Sequence, residues 1–215
     1  MNYRELIYKN ALELIKNIYL ESKYNPDVDL YRSFDILNSI NENQFNSKEW
    51  LVDTLIKYVD KENIKRVLIG GSWYGLIGIM LKEHLSQDVY IRNVDYDGLT
   101  KEIGKKLAGD NIKYKRNEYY TEDIVDFYMY KRNSYDLIIN TSCEHMESDD
   151  IRFIVDGKPK KTIVCLQSNN YHEIQSHINT HNSLEEFIED LNLPSVYYAG
   201  TLNAKTYDRY MVIGR

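Results

Sequence analysis

The sequence predicts an α/β fold. Helices would cover both faces of a mostly parallel seven-stranded sheet, forming a three-layer sandwich with an antiparallel C-terminal hairpin and an N-terminal helical cap. Three observations predict it. From residue 67 to residue 191, short apolar runs alternate with helical patterns, which favours a parallel sheet with right-handed crossovers. Residues 196–213 hold two strand-like runs with no helical pattern between them, which indicates a hairpin. The first 60 residues show three- and four-residue apolar spacing, which is typical of helices.

The N-terminal segment predicts three helices. The first carries an apolar stripe at positions 6, 7, 11, 14, 15 and 18, and Asn25-Pro26-Asp27 breaks the pattern. A short second helix is predicted around residues 34–40. Asn46 and Glu49 are spaced as a capping pair, which predicts that a third helix opens there. The chain therefore divides into a helical cap, residues 1–62, and an α/β domain, residues 63–215.

Five strand–helix units follow the cap. The strands are predicted at residues 67–69, 89–91, 112–114, 135–139 and 162–166. Helical patterns follow at residues 76–85, 103–107, 121–128, 148–155 and 183–191. Together with the terminal hairpin, these runs give seven strands.

Composition limits the possible partners. The 215 residues include 27 basic and 33 acidic side chains, a net charge of −6, which argues against nucleic acid because phosphates need basic counter-charge. No stretch approaches the ~20 apolar residues of a membrane span, and the N-terminus leads into an amphipathic helix rather than a signal peptide. Cys143 and Cys165 lie in apolar runs and form no disulfide framework. We therefore expect a cytoplasmic protein with no membrane partner; the oligomeric state stays open.

A glycine turn and an acid follow the first two strands. The turn contains Gly70, Gly71, Ser72, Trp73 and Gly75. Glycine lets the backbone approach a ligand closely, although a plain tight turn also uses it. Asp95 lies 20 positions after Gly75, where an acid accepts hydrogen bonds from ribose hydroxyls; Asp97 is the alternative acid. Both features lie at strand carboxyl ends, where ligands bind in sheets of this type.

From Val67 to Arg215, these residues resemble the class I (Rossmann-like) S-adenosylmethionine-dependent methyltransferases. Gly71 and Gly75 match the first and third glycines of that family's first motif, and Trp73 occupies the middle place. Ile69 stands where the family commonly has an acid that helps bind the methionine ammonium group. Residues 135–140 resemble the fourth-strand motif, and stretches 140–145 and 166–171 are similar to methyltransferase-like proteins of bacteriophages.

The resemblance implies S-adenosylmethionine as the cofactor and a small molecule or a protein side chain as the acceptor. Asn117 or Glu118, expected after the third strand, would contact the adenine edge. The residues implied to bind the cofactor are Gly70, Gly71, Ser72, Trp73, Gly75, Asp95, Asn117 and Asn140.

The Asn140–His145 stretch is the best catalytic candidate. His145 suits a general base, and Glu144 could orient it or bind a cationic acceptor. The alternative is that Glu144 and His145 only cap the next helix. The stretch lacks the Asn/Asp-Pro-Pro-aromatic motif of amino-methylating DNA enzymes, which argues against DNA as the substrate.

A polar run after the fifth strand could bind the acceptor. Gln167, Asn169 and Asn170 present amide donors and acceptors, although a hydrogen-bonded turn would use the same residues. The histidines at 172, 177 and 181 have no matching cysteine or acidic cluster nearby, so no metal is predicted.

Three other functions remain open at this point. A domain that has lost turnover would keep the fold and bind weakly, as the missing acid at Ile69 suggests. An enzyme that transfers the aminocarboxypropyl group would share the same cofactor cradle. An NAD-dependent oxidoreductase would need glycine where Ser72 stands.

Overall fold

The computed structural model describes residues 2–110, 112–131 and 134–215. The helices are α1 (Tyr3–Ser22), α2 (Tyr31–Ser39), α3 (Glu42–Tyr58), α4 (Leu76–Leu81), α5 (Thr100–Ala108), α6 (Ile124–Lys131), α7 (Ser148–Gly157) and α8 (Leu184–Leu191). The strands are β1 (Arg66–Gly70), β2 (Tyr90–Asp95), β3 (Asn117–Thr121), β4 (Leu137–Asn140), β5 (Ile163–Asn169), β6 (Val196–Asn203) and β7 (Asp208–Gly214). No described helix combines the length and the hydropathy needed to cross a bilayer.

The strands form one seven-stranded sheet in the order β3-β2-β1-β4-β5-β7-β6. Strands β1 to β5 pair in parallel, and β7 pairs antiparallel with both β5 and β6. This confirms the predicted fold class, including the C-terminal hairpin. The strand order reverses between β1 and β4, so the carboxyl ends of β1, β2 and β4 flank the crevice where such sheets bind ligands.

Both faces of the sheet are buried. One face contributes Val67, Ile69, Leu137, Ile139, Cys165, Met211 and Ile213 to a core that also contains Ile7, Ile36 and Leu51 of α1, α2 and α3. The other face contributes Leu68, Ile138, Val164, Leu166 and Val212 to a second core beneath α6, α7 and α8. Because successive strand residues point to opposite faces, a short continuous apolar run is what such a doubly covered strand requires.

The N-terminal helices pack against the α/β domain. Helix α1 contacts α5, and α3 contacts α4, β6 and β7. The predicted start of α3 is wrong: Asn41 is the N-cap, and its side chain accepts from the Gln44 N–H at 2.9 Å. Asn46 therefore lies inside the helix. Glu49 instead accepts from Arg4 on α1, because an interior helix position projects the carboxylate toward that neighbour.

The third strand also differs from the prediction. Residues 112–114 form a short 3-10 helix, and β3 runs from Asn117 to Thr121 in register with β2 from Ile91 to Asp95. Tyr114 was expected in a strand, but its ring is buried in the α1-side core and its hydroxyl donates to Glu83 at 2.8 Å. The strand instead uses the later aromatic pair at 119 and 120.

Candidate active site at the carboxyl edge of the sheet

A cavity of about 800 Å³ lies over the carboxyl ends of β1, β2 and β4. Gly71, Trp73, Asp95 and His145 all line it. The glycine turn and the acid that ends β2 therefore face the same space, as the sequence predicted. Ser142 and Met146, from the loop after β4, complete this side of the wall.

Asp95 connects the glycine turn to the loop after β2. Its Oδ2 accepts from the Trp73 N–H at 2.7 Å, and its Oδ1 accepts from the Asp97 N–H at 3.1 Å. A carboxylate offers about four lone-pair sites, so Asp95 keeps acceptor capacity toward the cavity. Burial raises the pKa of Asp95, and the backbone bonds from Asp97 and Trp73 oppose that rise.

Gly71 shows why the turn needs glycine. Its φ of +55° lies in the left-handed region, and an added Cβ would sit 2.9 Å from the Ser142 Cβ. Ser142 Oγ donates to the Gly71 carbonyl at 3.1 Å, which joins the ends of β1 and β4. Trp73 also has a positive φ, of 50°, and the Asp95 carboxylate holds its backbone N–H in that conformation.

Three of the predicted cofactor residues pack behind the cavity. An added Cβ at Gly70 would lie 2.7 Å from Ile124 Cγ1, and one at Gly75 would clash with the Tyr119 ring. Asn140 is buried, and its Oδ1 accepts from the Ser142 N–H at 2.8 Å. These residues allow close packing or fix the loop, and none is among the cavity residues that the structure describes.

Asn117 does not follow the third strand; it begins it. Its side chain is buried at the amino end of β3, where its Oδ1 accepts from Asn93 at 2.7 Å. The prediction that it reaches the adenine edge is therefore wrong, because the cavity lies at the opposite end of the sheet. At the carboxyl end of β3 the cavity is lined by Glu122 and Asp123. Two adjacent acids just beyond the Tyr119–Thr121 run were the sequence signal for them.

Helix α2 and the segment before it form another wall. Asp29, Tyr31, Arg32 and Asp35 all line the cavity. Arg32 donates to Asp97 at 2.7 Å and to the Tyr74 hydroxyl at 3.1 Å, and Trp73 Nε1 donates to Asp35 at 3.1 Å. Sequence reasoning missed this wall, because polar residues on a short amphipathic helix look like an ordinary solvated face.

The cavity is strongly acidic. Among the described lining residues there are eight carboxylates and one guanidinium, that of Arg32. Burial raises the pKa of Asp150, and the neighbouring Asp123 and Asp149 carboxylates add to the rise. Such a surface attracts cations and repels phosphates. It fits a ligand with a net positive charge.

A second cavity of about 280 Å³ adjoins the first. Gly71, Trp73, Ser142 and His145 line both. The walls of the second cavity also include Ser72, Lys48, Glu144, Asn169, His177 and Arg209. The predicted residues Ser72, Glu144 and Asn169 therefore face this smaller space, next to the first cavity.

Glu144 lies at the base of the second cavity and is 2% exposed. Its Oε1 accepts from Asn169 Nδ2 at 2.7 Å and from Arg209 at 3.1 Å. Arg209, from β7, also donates to the Thr141 carbonyl at 3.0 Å. Burial lowers the pKa of nearby Lys48 to about 7, with Arg209 adding to the effect.

His145 stands where the two cavities meet. Its Nδ1 is 3.0 Å from the Ser176 carbonyl; a carbonyl only accepts, so Nδ1 carries the proton and Nε2 keeps a lone pair. Glu144 and His145 do not cap α7, whose N-cap is Glu147 with no side-chain capping bond. The alternative interpretation of this pair as helix caps is therefore wrong.

The other predicted acceptor residues have structural partners. Strand β5 continues through Asn169 and pairs with β7, so Gln167 is fully buried and bonds to Ser47 at 3.3 Å. Asn170 accepts from the Asp208 N–H at 2.7 Å. Neither residue lines either of the two cavities described above. The alternative of a hydrogen-bonded turn is wrong for Gln167, because β5 extends three residues beyond the apolar run and includes it, whereas Asn170 follows the strand.

No protein-family model and no curated protein sequence matches the chain. Solved structures do match. The [4+2]-cyclase SpnF superposes with a TM-score of 0.65 at 12% identity, over 81% of this chain and 85% of that one. The N-methyltransferase NodS from Bradyrhizobium japonicum WM9 gives 0.62 at 11%, over 81% and 97%. MtNAS in complex with S-adenosylmethionine gives 0.55 at 15%, over 98% and 72%.

The chain has the class I S-adenosylmethionine-dependent methyltransferase fold. The neighbours that share this fold include a cyclase as well as methyltransferases. At 10–15% identity the likeness establishes the methyltransferase fold and not the reaction.

Proposed function

We propose that the protein is an S-adenosylmethionine-dependent methyltransferase whose acceptor is a small molecule or a protein side chain. The observation that carries the proposal is the acidic cavity in which the glycine turn and Asp95 meet, within a methyltransferase fold. S-adenosylmethionine carries a sulfonium and an ammonium group against one carboxylate, so its net charge complements the cavity. The pyrophosphate of NAD would face eight carboxylates there, which argues against the oxidoreductase.

The described residues fit the cofactor. Asp95 would accept from the ribose hydroxyls with its remaining lone pairs, and Gly71 would let the backbone approach. Ile69 lacks the acid that the family uses for the ammonium group. We propose that Asp35 supplies that charge, since it binds the Trp73 indole beside the turn at 3.1 Å.

The second cavity would hold the acceptor. When bound, S-adenosylmethionine supplies an electrophilic methyl group. His145 lines both cavities, and its Nε2 can take the proton that a hydroxyl or protonated amine releases as it becomes the nucleophile. Glu144 and Asn169 offer polar contacts to the acceptor, and much of the rate would come from holding it in line.

Calorimetry with S-adenosylmethionine tests the cofactor assignment. Asp95→Asn keeps the side-chain shape but removes the charge, and we expect it to weaken binding by more than tenfold. Asp53→Asn, at an exposed position of α3, is the matched control and should bind like the wild type. An absence of binding by the wild type at millimolar ligand would overturn the proposal.

Product analysis separates the two kinds of group transfer. Methyl transfer leaves S-adenosylhomocysteine, whereas aminocarboxypropyl transfer leaves methylthioadenosine. Mass spectrometry after incubation with a small-molecule extract should show S-adenosylhomocysteine. Cofactor binding without either product would favour a binding protein that has lost turnover.

A further inference from the structure

Three potential metal ligands meet at the junction of the two cavities. A carboxylate oxygen of Glu144 and one ring nitrogen each of His145 and His177 lie within 4.8 Å of one another. Two of the residues come from the 3-10 turn after β4, and the third comes from the segment between β5 and α8. Sequence spacing could not reveal the group, since His177 is 32 positions from its nearest partner.

Both imidazoles are oriented with one nitrogen free to bind. The Nδ1 of His177 is 2.7 Å from the Tyr171 carbonyl, just as the Nδ1 of His145 faces the Ser176 carbonyl. Each Nδ1 must donate, so each Nε2 keeps its lone pair. Metal-ligating histidines typically donate their second ring nitrogen to a carbonyl or carboxylate in this way. The rings meet edge to face, with centroids 4.6 Å apart.

Glu144 supplies an independent indication. Although it is 2% exposed, its Oε2 has no hydrogen-bond partner among residues 2–110, 112–131 and 134–215. An unsatisfied buried carboxylate oxygen is costly. A cation bound to that oxygen would remove the cost.

We propose that Glu144, His145 and His177 bind a divalent transition-metal ion in the second cavity. Two imidazoles and one carboxylate suit Zn²⁺ or Fe²⁺ and leave coordination positions open. Arg209 lines the same cavity and balances the Glu144 carboxylate, so with the ion present the net charge of the cavity becomes positive. That environment selects an acceptor with an anionic oxygen, such as a carboxylate or an acidic hydroxyl.

The inference that the acceptor has an anionic oxygen rests on the proposed methyl transfer. The inference that a metal ion binds is independent of it. While the ion is bound, His145 is a ligand rather than a base, and a coordinated hydroxyl gives up its proton more readily. The proton of a hydroxyl acceptor would pass to solvent water. The acceptor oxygen would then form the O–CH3 bond as the S–CH3 bond of the cofactor breaks, and S-adenosylhomocysteine would leave.

Cobalt titration tests the site. The full chain is treated with chelator, and Co²⁺ alone is added while visible absorption is followed. We expect ligand-field bands that saturate with one Co²⁺ per chain in the wild type, and at least tenfold weaker binding in His145→Ala and His177→Ala. His172→Ala is the matched control: this exposed histidine lies in the same segment, its Nδ1 pairs with Thr180, and the variant should bind like the wild type.

A second variant guards against misfolding. His177→Gln keeps a polar side chain, and its circular dichroism and thermal midpoint without metal should match those of the wild type, while its Co²⁺ affinity falls. No saturable bands in the wild type, or wild-type affinity in a folded His177 variant, would overturn the proposal. The titration contains no S-adenosylmethionine, so its outcome is separate from that of the cofactor test.

Discussion

Replacing buried Lys48 should stabilise the protein in a pH-dependent way. The side chain is 6% exposed, and burial lowers its pKa from 10.5 to about 7. At about 1.36 kcal/mol per pKa unit, the cost of burying the charged amine in the folded state is roughly 5 kcal/mol. Between the two pKa values the unfolded chain is protonated and the folded chain is not, so the wild type gains stability as pH rises. Below pH 7, Lys48 is charged in both states and its full penalty applies.

The substitution Lys48→Met removes this penalty while keeping a long flexible side chain. The variant should have a higher free energy of unfolding than the wild type at pH 6. Proton linkage predicts that this difference is roughly 4 kcal/mol larger at pH 6 than at pH 10. The stabilisation by Lys48→Met should be largest at pH 6. The lost hydrogen bond to Gln44 should reduce it by about 1 kcal/mol at every pH.

Urea unfolding at pH 6, 8 and 10 measures the effect. Lys57→Met, at an exposed position of the same helix α3, should change stability by less than about 0.5 kcal/mol throughout. If the Lys48 variant showed the same stability difference at pH 6 and pH 10, the buried amine would not be the titrating group and the reasoning would fail.

Three further predictions concern the framework of the site. Gly75→Ala should cost about 2 kcal/mol or more in urea unfolding, since φ is +69° and the new Cβ would meet Tyr119; Gly98→Ala, with open space around it, should stay within about 0.5 kcal/mol. Phe187→Ala, at a fully buried position, should lose ~3–5 kcal/mol in the same assay, and a loss under about 1 kcal/mol would contradict its place in the core. Arg32→Gln breaks the 2.7 Å ion pair to the loop after β2, so hydrogen exchange of α2 should quicken while exchange of the central strands is unchanged; equal exchange in α2 would show that the helix is held by apolar packing alone.

The sequence was sufficient to predict the fold class because each layer has its own periodicity. Strand β1 reads as an apolar run since both faces are covered, and the terminal hairpin lacks any helical spacing. The boundaries that failed depend on partners. Tyr114 and Tyr119 are equally suited to a strand by propensity, and the register against β2 decides between them. Gln167 looks like a loop residue, yet pairing with β7 and a bond to Ser47 make it part of a buried strand.

The candidate site could be predicted only where the topology itself brings residues together. Gly71 directly follows β1 and Asp95 ends β2, and these two strands are adjacent and parallel, so the meeting of the two residues follows from the strand order. The acids of α2 reach the cavity through helix packing, and the approach of His177 to Glu144 depends on the course of a long loop. Neither kind of contact leaves a spacing signal in the chain.

The position of β7 between β5 and β6 has a consequence for synthesis. Strand β6 leaves the ribosome first but has no partner in the sheet until β7 follows it. Until then the nascent chain presents β5 as an open apolar edge, a surface prone to pair with other chains. Arg209, which β7 carries to Glu144, arrives only at that stage. The polar floor of the smaller cavity is thus assembled in the same event that seals the edge.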